Sequence, residues 1–341
     1  MKAFEWVSPV SVGDAVKQLQ TGATTRDPDD APRPIAGGQD LLTTMKDYIT
    51  RPSRVVNLKA IRGLDKIEGD ARRGLKIGAL VTLAQLEENA VVRRDFPVLA
   101  EAAHSVATPQ IRNLGTVAGN LCQRPRCWYY RLEEAVCLKK GGSECFAATG
   151  ENKYNAILGG GPSFIVHPSD LAPALVALGA SVAVTGADGN RTVPLERFFT
   201  LPAEGSIRRE NVLRNDDIIT EINVPASTFA AHSTYLKFKE RDSLDFALSA
   251  VAAALELGTS RMVKQARVVL GGVAPIPWRA TQTEAFLVGK PLDAATLTEA
   301  ARLALEGAKP LAKNAYKIPL TQTLVRRALG KVGGLNAEVR G

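Results

Sequence analysis

The chain has 341 residues, 45% hydrophobic and 23% charged, the composition of a globular protein of two or three domains, which excludes disorder, collagen and coiled coil. The best apolar stretch, Leu171 to Val184, is interrupted by Pro173 and Gly179, so no membrane-spanning helix is expected, and the N-terminus lacks the apolar core of a secretory signal. Lys and Arg outnumber Asp and Glu by 43 to 35, but residues 309–341 hold seven of those bases and one acid, so the rest is nearly neutral and is not built to coat a nucleic-acid backbone.

In chain order, the first candidate element follows a Pro- and Asp-rich stretch from Arg26 to Pro34. It is the loop Pro34-Ile35-Ala36-Gly37-Gly38-Gln39-Asp40-Leu41-Leu42, which runs into a helix-compatible segment ending at Lys46. Two glycines ahead of a helix start let backbone N–H groups approach a phosphate. The pattern is not G-x-G-x-x-G, and no acidic residue at the expected offset completes a dinucleotide fingerprint, so a nicotinamide site is not supported. Short apolar runs at Val55-Val56 and Leu75-Lys76-Ile77 precede a helix over Leu83–Asn89. A second small-residue loop spans Gln110 to Leu121, where Gly115 and Gly119 flank the Thr116 hydroxyl and the Asn120 amide. Such a loop can offer donors to a pyrophosphate; an ordinary tight connection has the same composition.

All four cysteines follow at once. Cys122, Cys127, Cys137 and Cys145 have the spacing C-x4-C-x9-C-x7-C. Structural cysteines are usually dispersed through a core, so this grouping implies a shared task. Disulfides would suit an exported chain, and no export signal is seen. A structural zinc site favours two short knuckles, and only the first pair is short. An iron–sulfur cluster takes four thiolates with looser spacing. Five bases (Arg124, Arg126, Arg131, Lys139, Lys140) against three acids lie between Cys122 and Cys145; they suit either thiolate-bound metal, so spacing and charge leave both open.

Beyond the cysteines, Ser169-Asp170 reads as the N-cap of an amphipathic stretch, Leu171 to Leu178. Strands are expected at Ser181–Thr185 and Ile218–Val224, with a turn at Asp188-Gly189-Asn190. From Ser227 the pattern changes to strands at Tyr235–Lys239, Ala247–Leu257 and Ala266–Val273, then helices at Thr281–Val288 and Leu297–Leu305, a separate α+β unit. The basic C-terminal segment reads as either a solvated helix or a docking surface. None of His104, His167 and His232 falls in a triad or metal motif, and His167 reads as structural.

Four ordered stretches resemble one family. They are Ala36-Gly37-Gly38-Gln39-Asp40-Leu41; Ile111 to Leu121; Ser169-Asp170-Leu171-Ala172-Pro173-Ala174-Leu175; and Leu270-Gly271-Gly272-Val273-Ala274-Pro275-Ile276-Pro277-Trp278-Arg279-Ala280. The family is the FAD-binding (medium) subunit of molybdenum hydroxylases, the xanthine dehydrogenase and carbon monoxide dehydrogenase group. The resemblance implies an α+β fold: a two-part PCMH-type FAD-binding domain over 1–226 (subdomains about 1–57 and 58–226, cluster loop 122–146), then a smaller α/β C-terminal domain of the CO dehydrogenase flavoprotein type over 227–335, and a tail over 336–341. It implies that Ala36, Gly37, Gly38, Gln39, Asp40, Leu41 and Leu42 wrap the FAD pyrophosphate. Gly115, Thr116, Gly119, Asn120 and Gln123 would make the second phosphate and ribityl contact. Asp170 would bind FAD, and Ile218 or Ile219 and Lys237 would lie beside the isoalloxazine.

The cysteine segment resembles the inserted loop of the branch with a [4Fe-4S] cluster, the aldehyde oxidoreductase and 4-hydroxybenzoyl-CoA reductase subunits. That implies Cys122, Cys127, Cys137 and Cys145 as ligands. Some relatives place a cluster cysteine about nine residues beyond Cys145, where this chain has Lys153-Tyr154-Asn155. The implied partners are a molybdenum-cofactor large subunit, a [2Fe-2S] small subunit and an external electron acceptor or donor, in a heterotrimer. Cytoplasm is the default compartment, and a partner's export signal could carry the folded chain to the periplasm. The competing readings are a zinc-bearing basic scaffold or nucleic-acid-binding protein and a free-standing FAD oxidase.

Overall fold

The structure, a computed structural model, describes residues 1–21 and 28–335. The expectations for Arg26 and for the 336–341 tail, Glu338 and Arg340 included, lie outside the described residues. No helix among the described residues is long and apolar enough to cross a membrane.

Three sheets build the chain. The first is parallel and three-stranded: β1 (Glu5–Val7), β2 (Arg33–Ile35) and β3 (Arg54–Asn57), in the order β1-β3-β2. Its central strand carries the Val55-Val56 pair, both fully buried. The second sheet is antiparallel, with β4 (Ile67–Asp70), β5 (Gly74–Gly78), β6 (Ser181–Gly186), β7 (Gly189–Pro194) and β8 (Ile218–Val224) in the order β4-β5-β8-β6-β7. The expected turn at Asp188 to Asn190 is the tip of the β6–β7 hairpin. β7 lacks the apolar alternation of a half-buried strand and lies at the sheet edge.

The third sheet orders β12 (Trp278–Arg279), β11 (Val263–Gly271), β10 (Ser249–Leu257) and β9 (Ser233–Phe238). It is buried on both faces, which explains the unbroken apolar run in β10. Ala250 and Ala252 pack with helix Leu171–Ala177 and Val98 in one core. Val251, Ala253 and Leu255 pack into a second core with the helices Thr281–Leu287, Ala294–Leu303 and Lys317–Val332. Successive residues of one strand thus join two halves of the chain.

One expectation changes here and one is refined. Leu171–Ala177 is not amphipathic: all seven residues are buried, because it lies between the second sheet's helices and the third sheet. The basic C-terminal segment divides between a packed face and an exposed one that carries Arg327 and Lys331. Lys317–Val332 buries Leu324, Val325, Ala328 and Leu329 against the third sheet, and its Lys331 pairs with Glu101 at 2.7 Å.

Lys317 is 0% exposed. Its Nζ donates to the Tyr154 carbonyl at 2.9 Å and the Gly272 carbonyl at 2.7 Å. Burial lowers its pKa from 10.5 to about 7. The unfolded chain therefore binds more protons between those values, and stability rises with pH there. Across pH 7 to 10 the melting temperature of the wild type should climb relative to Lys317→Met. Parallel pH profiles would show that this lysine is not desolvated.

Candidate functional site

The two small-residue loops expected from the sequence meet. A Cβ placed on Gly37 would lie 2.1 Å from the Leu114 carbonyl oxygen and 3.1 Å from the Gly115 Cα, so only glycine lets the backbones approach. Gly38 has φ +72°, a left-handed conformation that favours glycine. The second loop is held by its neighbours. Thr82 and Gln85 form a capping box at the start of helix Leu83–Glu88, and the Leu83 N–H donates to the Gly115 carbonyl at 2.9 Å. The Thr116 hydroxyl accepts from the Gly119 N–H.

Between these loops and the third sheet opens a cleft of about 760 Å³, within the range of cofactor pockets, about 300–1,000 Å³. Ala36, Gly37, Gly38, Gln39, Asp40, Leu41, Gly115, Thr116, Gly119, Asn120, Gln123, Asp170 and Lys237 all line it. Leu42, Ile218 and Ile219 do not. Leu42 turns its side chain across Gly38, 3.0 Å from where a Cβ would be. Ile218 packs with Ala15, Val16 and Leu19, and Ile219 lies in the largest core. Both isoleucines are on β8, whose side chains are taken up by packing on either face.

Asp170 has a different partner set from the one its position suggests. It makes no side-chain cap; Ser169 does, its hydroxyl accepting the Ala172 N–H at 3.0 Å and donating to Asn120 Oδ1 at 2.5 Å. Asp170 instead accepts from the Tyr235 hydroxyl and from Lys237 Nζ, both at 2.7 Å. Tyr235 and Lys237 are on β9, so this buried trio ties the second sheet's layer to the third beside the cleft. Burial, reinforced by Asp170, pushes the Tyr235 phenol well up.

Four of the five bases of the cysteine segment are bound to carboxylates. Asp40 accepts from Arg126 and Arg131 and from the Arg124 backbone N–H at 2.7 Å. Burial alone would raise its carboxyl, but these partners hold it below the usual range. Glu210, 3% exposed, pairs with Lys139 at 2.6 Å and Arg124 at 2.8 Å. Burial opposes ionisation there too, and Arg124 and Lys139 outweigh it. The Tyr130 ring faces the guanidinium groups of Arg124 and Arg131.

The cysteines are not all together. Cys127 and Cys137 pack with Ile49, Tyr130 and Phe146, and Cys145 lies within electrostatic range of Cys127. Cys122 lines the cleft, where burial, with Glu210, pushes its thiol up to about 12. Among the described residues no three His, Cys, Asp or Glu side chains are close enough to hold a metal ion. His167 is buried and its pKa is lowered to about 4 by burial; it accepts the Ser169 N–H through Nδ1 and meets Phe199 edge-on, a structural role.

The cleft lining carries eight cationic and six anionic side chains. The net excess matches the opposite charge of one pyrophosphate, and the loops supply the close backbone approach that such a group needs. Arg33, Arg208, Arg209, Arg214 and Phe246, also in the lining, belong to no sequence motif; the only trace is the basic run Arg208-Arg209.

Residues 2–227 match the family described as FAD binding domain in molybdopterin dehydrogenase, and residues 233–332 match the CO dehydrogenase flavoprotein C-terminal domain. The chain is 34% identical over 304 residues to the aldehyde oxidoreductase FAD-binding subunit PaoB of Escherichia coli K12, covering 87% of this chain and 90% of that one. It is 28% identical to the carbon monoxide dehydrogenase medium chain of Hydrogenophaga pseudoflava, covering 96% of each. The structure of a carbon monoxide dehydrogenase from that organism lacking the Mo-pyranopterin moiety superposes with a TM-score of 0.75 at 27% identity, covering 97% of this chain and 98% of that one.

Glu210→Gln leaves the buried Lys139 without a carboxylate partner and Arg124 with Asp29 at 3.6 Å, which costs about 3–5 kcal/mol; denaturant titration at pH 7 measures it. The Glu210 advantage is complete above the ordinary glutamate range and is lost as pH falls through the lower folded value. The gap between wild type and variant should therefore narrow in acid.

Proposed function

The chain belongs to the FAD-binding subunit family of the molybdenum hydroxylases, as an oxidoreductase component with that family's two-domain α+β architecture, and on this premise we propose that it carries electrons between its partner subunits and an external acceptor or donor. The observation behind this reading is the cleft itself: two glycine loops locked backbone to backbone beside a lining with a surplus of positive charge. FAD, when bound, supplies the exchange between one- and two-electron carriers.

The chain's own residues have separable tasks in this reading. Ala36 to Leu41 with Gly115, Thr116, Gly119, Asn120 and Gln123 hold the phosphates and the ribityl chain. Asp170 fixes the Lys237 ammonium and Tyr235 fixes Asp170; Lys237 would then be the cation offered to the isoalloxazine when FAD is bound. The FAD-binding part is assigned to residues 1–226 and the C-terminal domain to 227–335. The partners are a molybdenum-cofactor subunit and a [2Fe-2S] subunit.

The finer assignment is to the aldehyde oxidoreductase type, with a [4Fe-4S] cluster on the cysteine segment. The grouping of all four cysteines within residues 122–145 and the packing of Cys127 and Cys137 in one cluster support it. As placed, the described donors do not enclose a cluster; Cys122 lines the cleft, and Cys127 and Cys137 share a packed cluster of their own. Lys140 lies within electrostatic range of Cys137 and Cys127, and Lys139 within range of Cys137; Lys139 and the three arginines hold Asp40 and Glu210.

Gly37→Ala should abolish FAD retention, because the added carbon meets a backbone oxygen that cannot move aside; normal flavin absorbance in the purified variant would sink the cleft assignment. Iron quantitation tests the cysteines separately. Cys137→Ser should lose iron while keeping FAD, and unchanged iron would remove Cys137 from the ligand set.

A further inference from the structure

Asn120 lines the cleft, and Ser169, which is hydrogen-bonded to it, does not. Ser169 instead lines a second cavity, of about 360 Å³, bounded by Trp128 and Tyr154 and sharing Arg126, Pro168, Asp170 and Phe246 with the cleft. Both residues are buried, Asn120 at 6% and Ser169 at 4% exposure, and they lie 49 positions apart in sequence.

The protein uses every polar atom of Asn120 except one. The backbone N–H donates to the Thr116 carbonyl at 2.8 Å. The backbone carbonyl accepts from Gln123 Nε2 at 3.0 Å, and Gln123 Oε1 in turn accepts from Arg126 Nη2 at 3.1 Å. The side-chain Oδ1 accepts from the Ser169 hydroxyl at 2.5 Å. Only Nδ2, which carries two donors, has no partner among the described residues, and it is open to the cleft rather than sealed in the interior.

The direction of the Ser169 bond follows from its other contacts. The hydroxyl oxygen accepts the Ala172 N–H at 3.0 Å, and its single proton is the one given to Asn120. The Ser169 N–H donates to His167 Nδ1 at 3.4 Å, so the residue is fixed from two sides. An amide whose oxygen is held in this way cannot turn over without losing the bond.

We infer that Ser169 is a positioning residue for the cofactor site: by holding Asn120 Oδ1 it keeps the Asn120 NH2 group aimed as a donor at an oxygen of the flavin nucleotide. Ser169 acts through Asn120 and does not itself touch the ligand. This role rests on the proposed binding of FAD. An asparagine released from Ser169 is free to turn its own carbonyl oxygen towards that acceptor, where it repels.

The test is the FAD dissociation constant of the purified full chain, titrated by flavin fluorescence after removal of its FAD, for wild type, Ser169→Ala, Ser169→Thr, Asn120→Ala and the Ser169→Ala, Asn120→Ala double variant. Ser169→Ala should weaken binding about tenfold, the loss expected for one hydrogen bond, and Ser169→Thr, which keeps the hydroxyl, should restore most of it. With Asn120 already replaced by alanine, removing the Ser169 hydroxyl should change FAD affinity no further. Loss of the Ala172 contact is read separately, as a fall in the melting temperature of the flavin-free protein that should be the same in both backgrounds. An equal tenfold loss of affinity in the Asn120→Ala background would overturn the inference. So would wild-type affinity in Asn120→Ala, a result that needs no Ser169 variant to fold. A wild type that binds no FAD defeats the cofactor reading; FAD held as tightly by Ser169→Ala as by the wild type defeats this inference alone.

Discussion

Two carboxylates, Glu210 with almost no access to water and Asp40 largely buried, set the geometry of the site. Each is far apart in sequence from the cysteine segment, and each draws two of that segment's cations onto itself. A buried carboxylate is stable only when its charge is matched. The cysteine segment is therefore held against the first glycine loop on one side and the Glu210 strand-to-strand connection on the other. The cleft keeps its shape because these ion pairs cannot separate without leaving charge in a low-dielectric interior.

A second constraint works through the hydrophobic effect. The third sheet has no solvent face, so β10 alternates its alanines and valines between two cores. Separating the two halves would expose one of those faces to water. This places β9 where Tyr235 and Lys237 can reach Asp170, and it closes both the larger cleft and the aromatic cavity beside it. The two cavities are thus neighbours across a shared set of side chains.

Local signals were the legible ones. Gly37 and Gly38 ahead of a helix start, Gly115 to Asn120 as a small-residue turn, and the alternating or continuous apolar runs of β8, β10 and β11 all follow from preferences acting over a few residues. Asp170 was legible as a position but not in its bonding, since its partners are 65 and 67 residues away. The bases among the cysteines suggested charge compensation for a metal, whereas four of the five match carboxylates that no spacing pattern connects to them. In the basic C-terminal segment net charge says nothing about which side of a helix carries it; Leu324, Val325, Ala328 and Leu329 mark the buried side, and Arg327 and Lys331 lie on the exposed one.

The amino-acid sequence by itself determined the elements and the family, because glycine conformational freedom, strand periodicity and the motif stretches act or are read within short windows. Only the tertiary structure decided which charges pair, that Ile218 and Ile219 pack into cores, that Cys122 lines the cleft, and that Trp128, Tyr154 and Phe246 line one cavity. Those outcomes depend on long-range burial: a charge or ring acquires its role from the dielectric and the neighbours that folding gives it, and neither is written in the adjacent residues.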